Sequence, residues 1–406
     1  MTALDRAAAT GATASVSTGT AAAAPATAAA PATAVAPAAA PTAAVPTTAV
    51  PPALRTWVAD RVLAPVTAVL AAVALACAVL DLAGVTVSTA VQLVPFAVSV
   101  LVFGLPHGAL DHLVPARLRP GTSTVRSVVV VVVLYLVVGA ATAVLWAVAP
   151  LLGFAVFVGI TWFHWGQGDL FVDRLLGDGV PGPVGSALTV ALRGALPMVV
   201  PFVVQPGAAV QVVVDAAAVV DDGIARTVLV VPPVVRVAGA ALVVVLLVLH
   251  AVVVGRSSGP RWRQVSEDVV LVLFFAVVPP VLAVGLYFTL WHAVRHILRL
   301  ELTDATSAVE LHRGRLLAPF LRFVRQAWPI TAIAVGVLVV FALAVRRADL
   351  GVYLVLIAAL TTPHTVVVTW MDRVQRTWGS APRGLTAPET DRDTVRTVTA
   401  RTVSAR

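Results

Sequence analysis

Apolar runs of membrane length recur along the chain at about 60–83, 88–114, 127–149, 151–172, 184–204, 228–254, 267–300, 327–345 and 350–371. A helix needs roughly 20 apolar residues to cross the hydrocarbon core, so the pattern predicts eight or nine crossings. Short breaks such as Pro115 to Gly121, Gly177 to Gly182 and Gly255 to Pro260 carry the turn residues and charges expected between them. Valine runs such as Val128 to Val133 would suggest strands in water. Length, and the need to satisfy every backbone group inside lipid, decide for helices instead. The fold class is therefore an all-α integral membrane protein, a polytopic bundle of about 8–9 transmembrane helices with no internal repeat.

One run breaks the pattern. Segment 267–300 is 34 residues long and is interrupted by Pro279-Pro280; as one straight helix it would measure roughly 50 Å against a core of roughly 30 Å. Either it crosses once, or it folds at the prolines into a re-entrant or second crossing.

Composition agrees with the pattern. The 406 residues are 59% hydrophobic and 12% charged, with a mean hydropathy of +0.95, which excludes an ordinary soluble domain. The net charge of +8 comes from arginine alone, as the chain has no lysine. The arginines sit mainly between apolar runs and in the tail, a distribution that reads as topology control rather than nucleic-acid binding. With Arg55 and Arg61 placed in the cytoplasm, Arg117, Arg119, Arg126, Arg256, Arg261 and Arg263 also fall inside, so the expectation is a multi-pass cell-membrane protein with a cytoplasmic N-terminus. Residues 1–54 are almost wholly Ala, Pro, Thr, Val, Gly and Ser and read as a disordered arm rather than a signal peptide. A transmembrane catalytic domain over 55–375 and a basic, disordered tail over 376–406 complete the organisation. Cys77 is the only cysteine, so a metal here must use nitrogen or oxygen ligands.

Four motifs place histidines and acids inside or at the ends of apolar runs. The clearest is Leu286 to Leu300, where Tyr287, Trp291, His292, Arg295 and His296 fall at the end of the long run. His292 and His296, four residues apart, project from one helix face about 40° apart, a metal-ligand spacing. The others are Phe103 to His112, with His107 and Asp111 on one face; Trp162 to Asp169, with His164; and Pro363 to Asp372, with His364. Ionisable groups at membrane depth are costly and mark functional sites by default. His107 and His164 end on the same side in the cytoplasmic-N topology, and His292 and His296 can join them only if segment 267–300 also ends there. That demand favours a bend at Pro279-Pro280.

A single membrane histidine is as often an interhelical hydrogen-bond donor. His250 and His312 are read that way, and Trp146, Trp328 and Trp370 as interface anchors. Tyr287, Trp162, Trp165 and Trp291 flank the candidate ligands and either line an apolar tunnel or pack the core. Imidazole suits iron, copper, nickel or zinc. Four nitrogens on an octahedral iron leave two open positions, whereas zinc with four histidines is closed. Asp111 and Asp169 fit the task of accepting a histidine's remaining ring N–H, and Arg295 needs an acidic partner of its own.

Together, Gly104 to His112, Phe163-His164-Trp-Gly, Trp291-His292-Ala-Val-Arg-His296 and Pro363-His364 with Met371-Asp372 resemble the motifs of the bacteriorhodopsin-related protein (Brp/Blh) family. These are prokaryotic integral-membrane beta-carotene 15,15'-dioxygenases, and the similarity spans roughly residues 90 to 375. The resemblance implies an iron(II)-dependent cleavage of beta-carotene by O2 at the central double bond to give two molecules of all-trans-retinal, commonly handed to a rhodopsin. It further implies His107, His164, His292 and His296 as the iron ligands, with Asp111, Asp169, Tyr287, Trp291, Arg295 and His364 around them as supporting or substrate-lining residues. Two other classes are weaker. A di-iron hydroxylase or desaturase uses about twice as many histidines, in His-x-x-His-His groupings absent here. A transporter or haem-quinol protein would place paired histidines or charges in mid-membrane.

Overall fold

The computed structural model describes residues 50–119, 121–177, 182–226, 229–256, 261–346 and 350–379. Most of the arm and of the tail therefore lies outside the described residues. Twelve helices of eight residues or more organise what is described, and there is no strand among the described residues. They are α1 (Pro52–Leu82), α2 (Thr89–Leu118), α3 (Thr124–Val148), α4 (Pro150–Leu176), α5 (Gly182–Val204), α6 (Pro206–Ala217), α7 (Pro233–Gly255), α8 (Arg261–Val277), α9 (Pro280–Leu302), α10 (Ala305–His312), α11 (Leu317–Val345) and α12 (Leu350–Gln375). Eight of these, α1, α2, α3, α5, α7, α9, α11 and α12, are long and apolar enough to cross a membrane. α4 matches them in length at 27 residues but is polar in its second half. The protein is an all-α, multi-pass membrane bundle.

Several helices begin earlier than the apolar runs suggest. α1 starts at Pro52 and α11 at Leu317, so Arg55, Arg61, Arg322 and Arg325 are helical. Hydropathy stops at the charge, but the backbone does not, because arginine is a good helix former that can reach back to water. Valine-rich α3, α7 and α11 present Val129, Val133, Val244, Val248, Val337 and Val340 outward, the surface a helix offers to lipid. Trp146, expected at an interface, is instead fully buried against Phe154 and Gly153.

The long run splits at Pro279, whose φ of −53° and ψ of 138° end α8 and start α9. Glu267 lies 28 residues before Arg295, about 42 Å away in a straight helix, yet their side chains are 3.4 Å apart. Phe275 and Tyr287 meet with ring centroids 5.2 Å apart. The segment is therefore a helical hairpin closed at Val278-Pro279, as ligand depth required.

The hairpin sets the sense of α9. Arg117 at the end of α2 pairs with Asp304 just past α9 at 3.4 Å, and Arg299 near the end of α9 pairs with Asp372 near the end of α12 at 2.8 Å. Ser186 at the start of α5, just beyond α4, donates to the Trp378 carbonyl just beyond α12 at 2.7 Å. The C-terminal ends of α2, α4, α9 and α12 thus share one side, and these are the helices that carry the histidine motifs.

α4 and α5 pack closely through glycine. A Cβ on Gly166 would stand 2.3 Å from the Val190 carbonyl oxygen, and one on Gly194 would stand 2.0 Å from that of Trp162. Small residues let membrane helices approach in this way, and here they bring the polar half of α4 into the centre of the bundle.

Candidate metal centre

His107 sits where α2 loses its regular winding. A π turn over Val100–Gly104 runs into the short helical stretch Leu105–Gly108, and a 3-10 turn covers Asp111–Leu113. Turns of this kind re-aim side chains and cluster at functional sites. The Gly104 carbonyl accepts from His107 Nδ1, leaving Nε2 as the lone-pair nitrogen. His107 and Asp111 do not share one continuous helix face, yet Asp111 still reaches the centre through the turn. A second π turn, Tyr287–Ala293, carries His292 on α9; His292 and His296 stack with ring planes 11° apart and centroids 6.4 Å apart.

Five of the eight histidines meet here. His107, His164, His292, His296 and His364 are all buried, and His107 is 5.5, 5.4 and 4.9 Å from His292, His296 and His364 between ring centroids. His164 lies 4.7 Å from both His292 and His364. His107, His164 and His364 offer ligand atoms within 4.8 Å of one another, as do Asp111, His296 and His364. The four expected ligands therefore converge, and His364, expected only to support them, stands among them.

The nitrogens face each other in a manner hydrogen bonding alone does not satisfy. Nε2 of His164 and Nε2 of His292 are 3.1 Å apart, so either one carries a proton for the other or both lone pairs address a shared cation. Nδ1 of His164, Nε2 of His296 and Nε2 of His364 have no hydrogen-bond partner among the described residues. Neutral imidazoles converging with unused lone pairs fit a divalent transition metal.

Asp111 orients one of them. Its Oδ2 accepts from His364 Nδ1 at 2.7 Å and from the Tyr135 hydroxyl at 2.6 Å. That bond places the His364 proton on Nδ1 and turns Nε2 toward the other rings, the carboxylate–histidine arrangement that steadies metal ligands. Gly108 and Gly168 make room: a Cβ would lie 3.4 Å from His364 Nδ1 and 3.3 Å from His292 Nδ1, respectively.

Asp169 does something else. It holds no histidine; its Oδ1 accepts from Trp291 Nε1 at 2.8 Å and pairs with Arg295 Nε at 2.9 Å. The Arg295 guanidinium lies 3.6 Å over the Trp291 ring and also meets Glu267. Arg193 pairs with Glu267 at 3.2 Å and with Asp268 at 2.9 Å, and Asp268 holds His250 at 2.8 Å. Buried charges require such pairing. Tyr287 and Trp291 are fully buried and pack on each other, with Tyr287 also against Trp165.

Tyr135, Arg193, Glu267 and Asp268 went unremarked in the sequence. Arg193 was detectable, because an arginine in mid-run demands an acid nearby. Tyr135 gives no such signal, since only the fold brings it to Asp111. His250 and His312 stay apart from the cluster, the latter bonded to the Ala308 carbonyl.

An apolar cavity opens from His107 and His164 and is lined by Phe96, Phe154, Phe157, Trp165 and Phe202, among others. No acid lines it, so the centre combines a nitrogen-rich cluster able to hold a metal with an apolar, aromatic approach.

Residues 98–372 match the family model for beta-carotene 15,15'-dioxygenase, a stretch that includes all five histidines and Asp111. The probable beta-carotene 15,15'-dioxygenase Blh of Halobacterium salinarum is 41% identical over 302 residues, covering 72% of this chain and 88% of that protein. The probable beta-carotene 15,15'-dioxygenase Brp of the same organism is 28% identical over 321 residues, covering 73% of this chain and 88% of that one. No solved structure matches the chain. Both the extent of the family match and the identity to Blh show that the chain belongs to the beta-carotene 15,15'-dioxygenase family.

Proposed function

We propose that the chain is a membrane-embedded, iron(II)-dependent oxygenase that splits beta-carotene at its central 15,15' double bond with O2 to give two molecules of all-trans-retinal. The observation that carries the reading is the meeting of five buried histidines beside an apolar cavity, within the region matched by the family. His107, His164, His292 and His296 would hold the iron, and His364, turned inward by Asp111, is placed to be a fifth ligand or to border an open position. The bound iron supplies the activation of O2.

The chain's own residues do the rest. Gly104 and Asp111 keep His107 and His364 in single tautomers; the aromatic cavity takes the polyene and excludes water. Adding O2 across one carbon–carbon double bond and breaking it yields two aldehydes with every atom accounted for, so the scheme needs no proton donor or outside reductant. The surroundings agree, since Asp111, the carboxylate that reaches the rings, is engaged by His364 and Tyr135. Carotenoid and O2 both concentrate in lipid and reach such a site laterally. The cytoplasmic N-terminus follows from the arginine distribution, and the shared side of α2, α4, α9 and α12 is then the cytoplasmic one.

Expression in a carotene-accumulating bacterium tests the activity. Loss of colour with appearance of retinal is expected; persistent colour with well-expressed, iron-loaded protein would overturn it. Metal analysis should find one iron per chain, and two would favour a di-iron hydroxylase.

A further inference from the structure

The apolar cavity at His107 and His164 is not alone. A second cavity touches the centre from another direction, and the two share four residues: His107, Phe288, Ile357 and Thr361. Beyond these the linings diverge. The first runs between α2, α4, α5, α6, α9 and the N-terminal half of α12, with Phe96, Phe154, Phe157 and Phe202 along it. The second runs between the end of α2 and α3, α11 and α12, with Gly108, Tyr135, Ile330, Ala334 and Leu360 along it. His164 faces only the first and His364 only the second, although their ligand atoms and that of His107 lie within 4.8 Å of one another. The metal-capable nitrogens thus stand where the two cavities meet.

From this geometry we infer that the two cavities are the arms of one bent channel, and that a long polyene binds with one half in each arm and its middle against Phe288 and His107. This rests on the reading of the protein as a carotenoid-cleaving enzyme and deepens it, because it makes the arms the ruler that selects the bond. A symmetric substrate with its reactive bond at the centre needs room on both sides of the metal, and a single blind pocket would present one end instead. Ile330, in the second arm, is exposed on α11, so that arm lies beside the outer apolar surface, where a lateral way in or out would open.

The arms can be closed separately. Ala334→Phe and Ile330→Trp fill the second arm from the outer helix, and Val158→Trp fills the first. Beta-carotene is compared with an apocarotenal that keeps one ring but is cut short beyond the central bond. In Ala334→Phe and Ile330→Trp the ratio of kcat/KM for beta-carotene over the apocarotenal should fall about tenfold or more, the scale on which a filled apolar pocket discriminates. In Val158→Trp the ratio should fall as well, because the apocarotenal can seat its ring half in the open second arm and its cut end against the filled first one. Metal-free protein provides the second readout: the amount of each carotenoid it retains in detergent should follow the same ratios. Unchanged ratios in both second-arm variants would overturn the two-armed channel, even with wild-type protein that makes retinal. Wild-type protein that makes no retinal would instead overturn the proposed function, and the retention ratios would still decide the channel.

Discussion

Asp111 illustrates how much one carboxylate does at the residue scale. One of its oxygens receives both His364 Nδ1 and the Tyr135 hydroxyl, so Asp111→Asn removes the acceptor that fixes the ring. Loss of such a partner lowers metal affinity or activity about 10–100-fold. Iron content and retinal yield should both fall in Asp111→Asn, and less so in Tyr135→Phe. His296→Ala should abolish cleavage, whereas His312→Ala, remote from the cluster, should leave it near wild type; equal damage from the two would sink the assignment. His250→Ala separates stability from chemistry. His250 caps a buried network through Asp268, so its loss should lower the melting temperature while iron bound per folded chain stays the same.

At the scale of elements, close helix contacts and a loop cap stand open to test. Gly166→Ala forces a methyl toward the Val190 carbonyl on α5, and overpacking of this kind costs about 1–3 kcal/mol. The thermal midpoint should drop, and iron content should drop with it, because α4 carries His164. Asp304 caps α10 through the Ser307 N–H at 3.0 Å and pairs with Arg117 and Arg322. Burial raises its pKa, but the Ser307 N–H and the two guanidiniums outweigh burial and hold the carboxyl below its ordinary value. A depressed carboxylate stabilises the fold above its unfolded pKa and loses that contribution as pH falls through the folded one. The stability gap between wild type and Asp304→Asn should therefore be widest near neutrality and close as pH falls through the depressed pKa of the folded carboxyl.

On the scale of the whole molecule, the fold is a device for bringing four distant segments to one depth. α2, α4, α9 and α12 end together, so labels near Thr122 and Thr303, in a Cys77→Ala background carrying one new cysteine at a time, should report the same side of the membrane. Opposite sides would break the hairpin at Pro279 and the site with it. Under the buried rings, Arg193, Arg295, Glu267, Asp268 and Asp169 form one interlocked set. Glu267→Gln, which removes a counter-charge shared by three arginines, should destabilise the bundle strongly, since removing one partner of a buried pair costs about 3–5 kcal/mol.

The sequence by itself determined the all-α membrane class, because runs of this length and apolarity have no other way to satisfy their backbones in lipid. It also singled out His107, His164, His292 and His296 as expected ligands with His364 beside them, and these are the five rings the fold brings together, while His250 and His312 lie apart. Even the hairpin at Pro279 was foreshadowed by length and ligand depth. Only the tertiary structure decided the pairings: that Asp111 serves His364, that Asp169 answers Arg295 and Trp291 in place of a histidine, and that Tyr135 belongs to the centre at all. Trp146 was misplaced at an interface for the same reason, since burial of a tryptophan depends on which helix covers it. Helix periodicity says which face a residue occupies, but partners more than a hundred positions away are chosen by packing, and the meeting of two cavities at one cluster of rings exists only once the helices have come together.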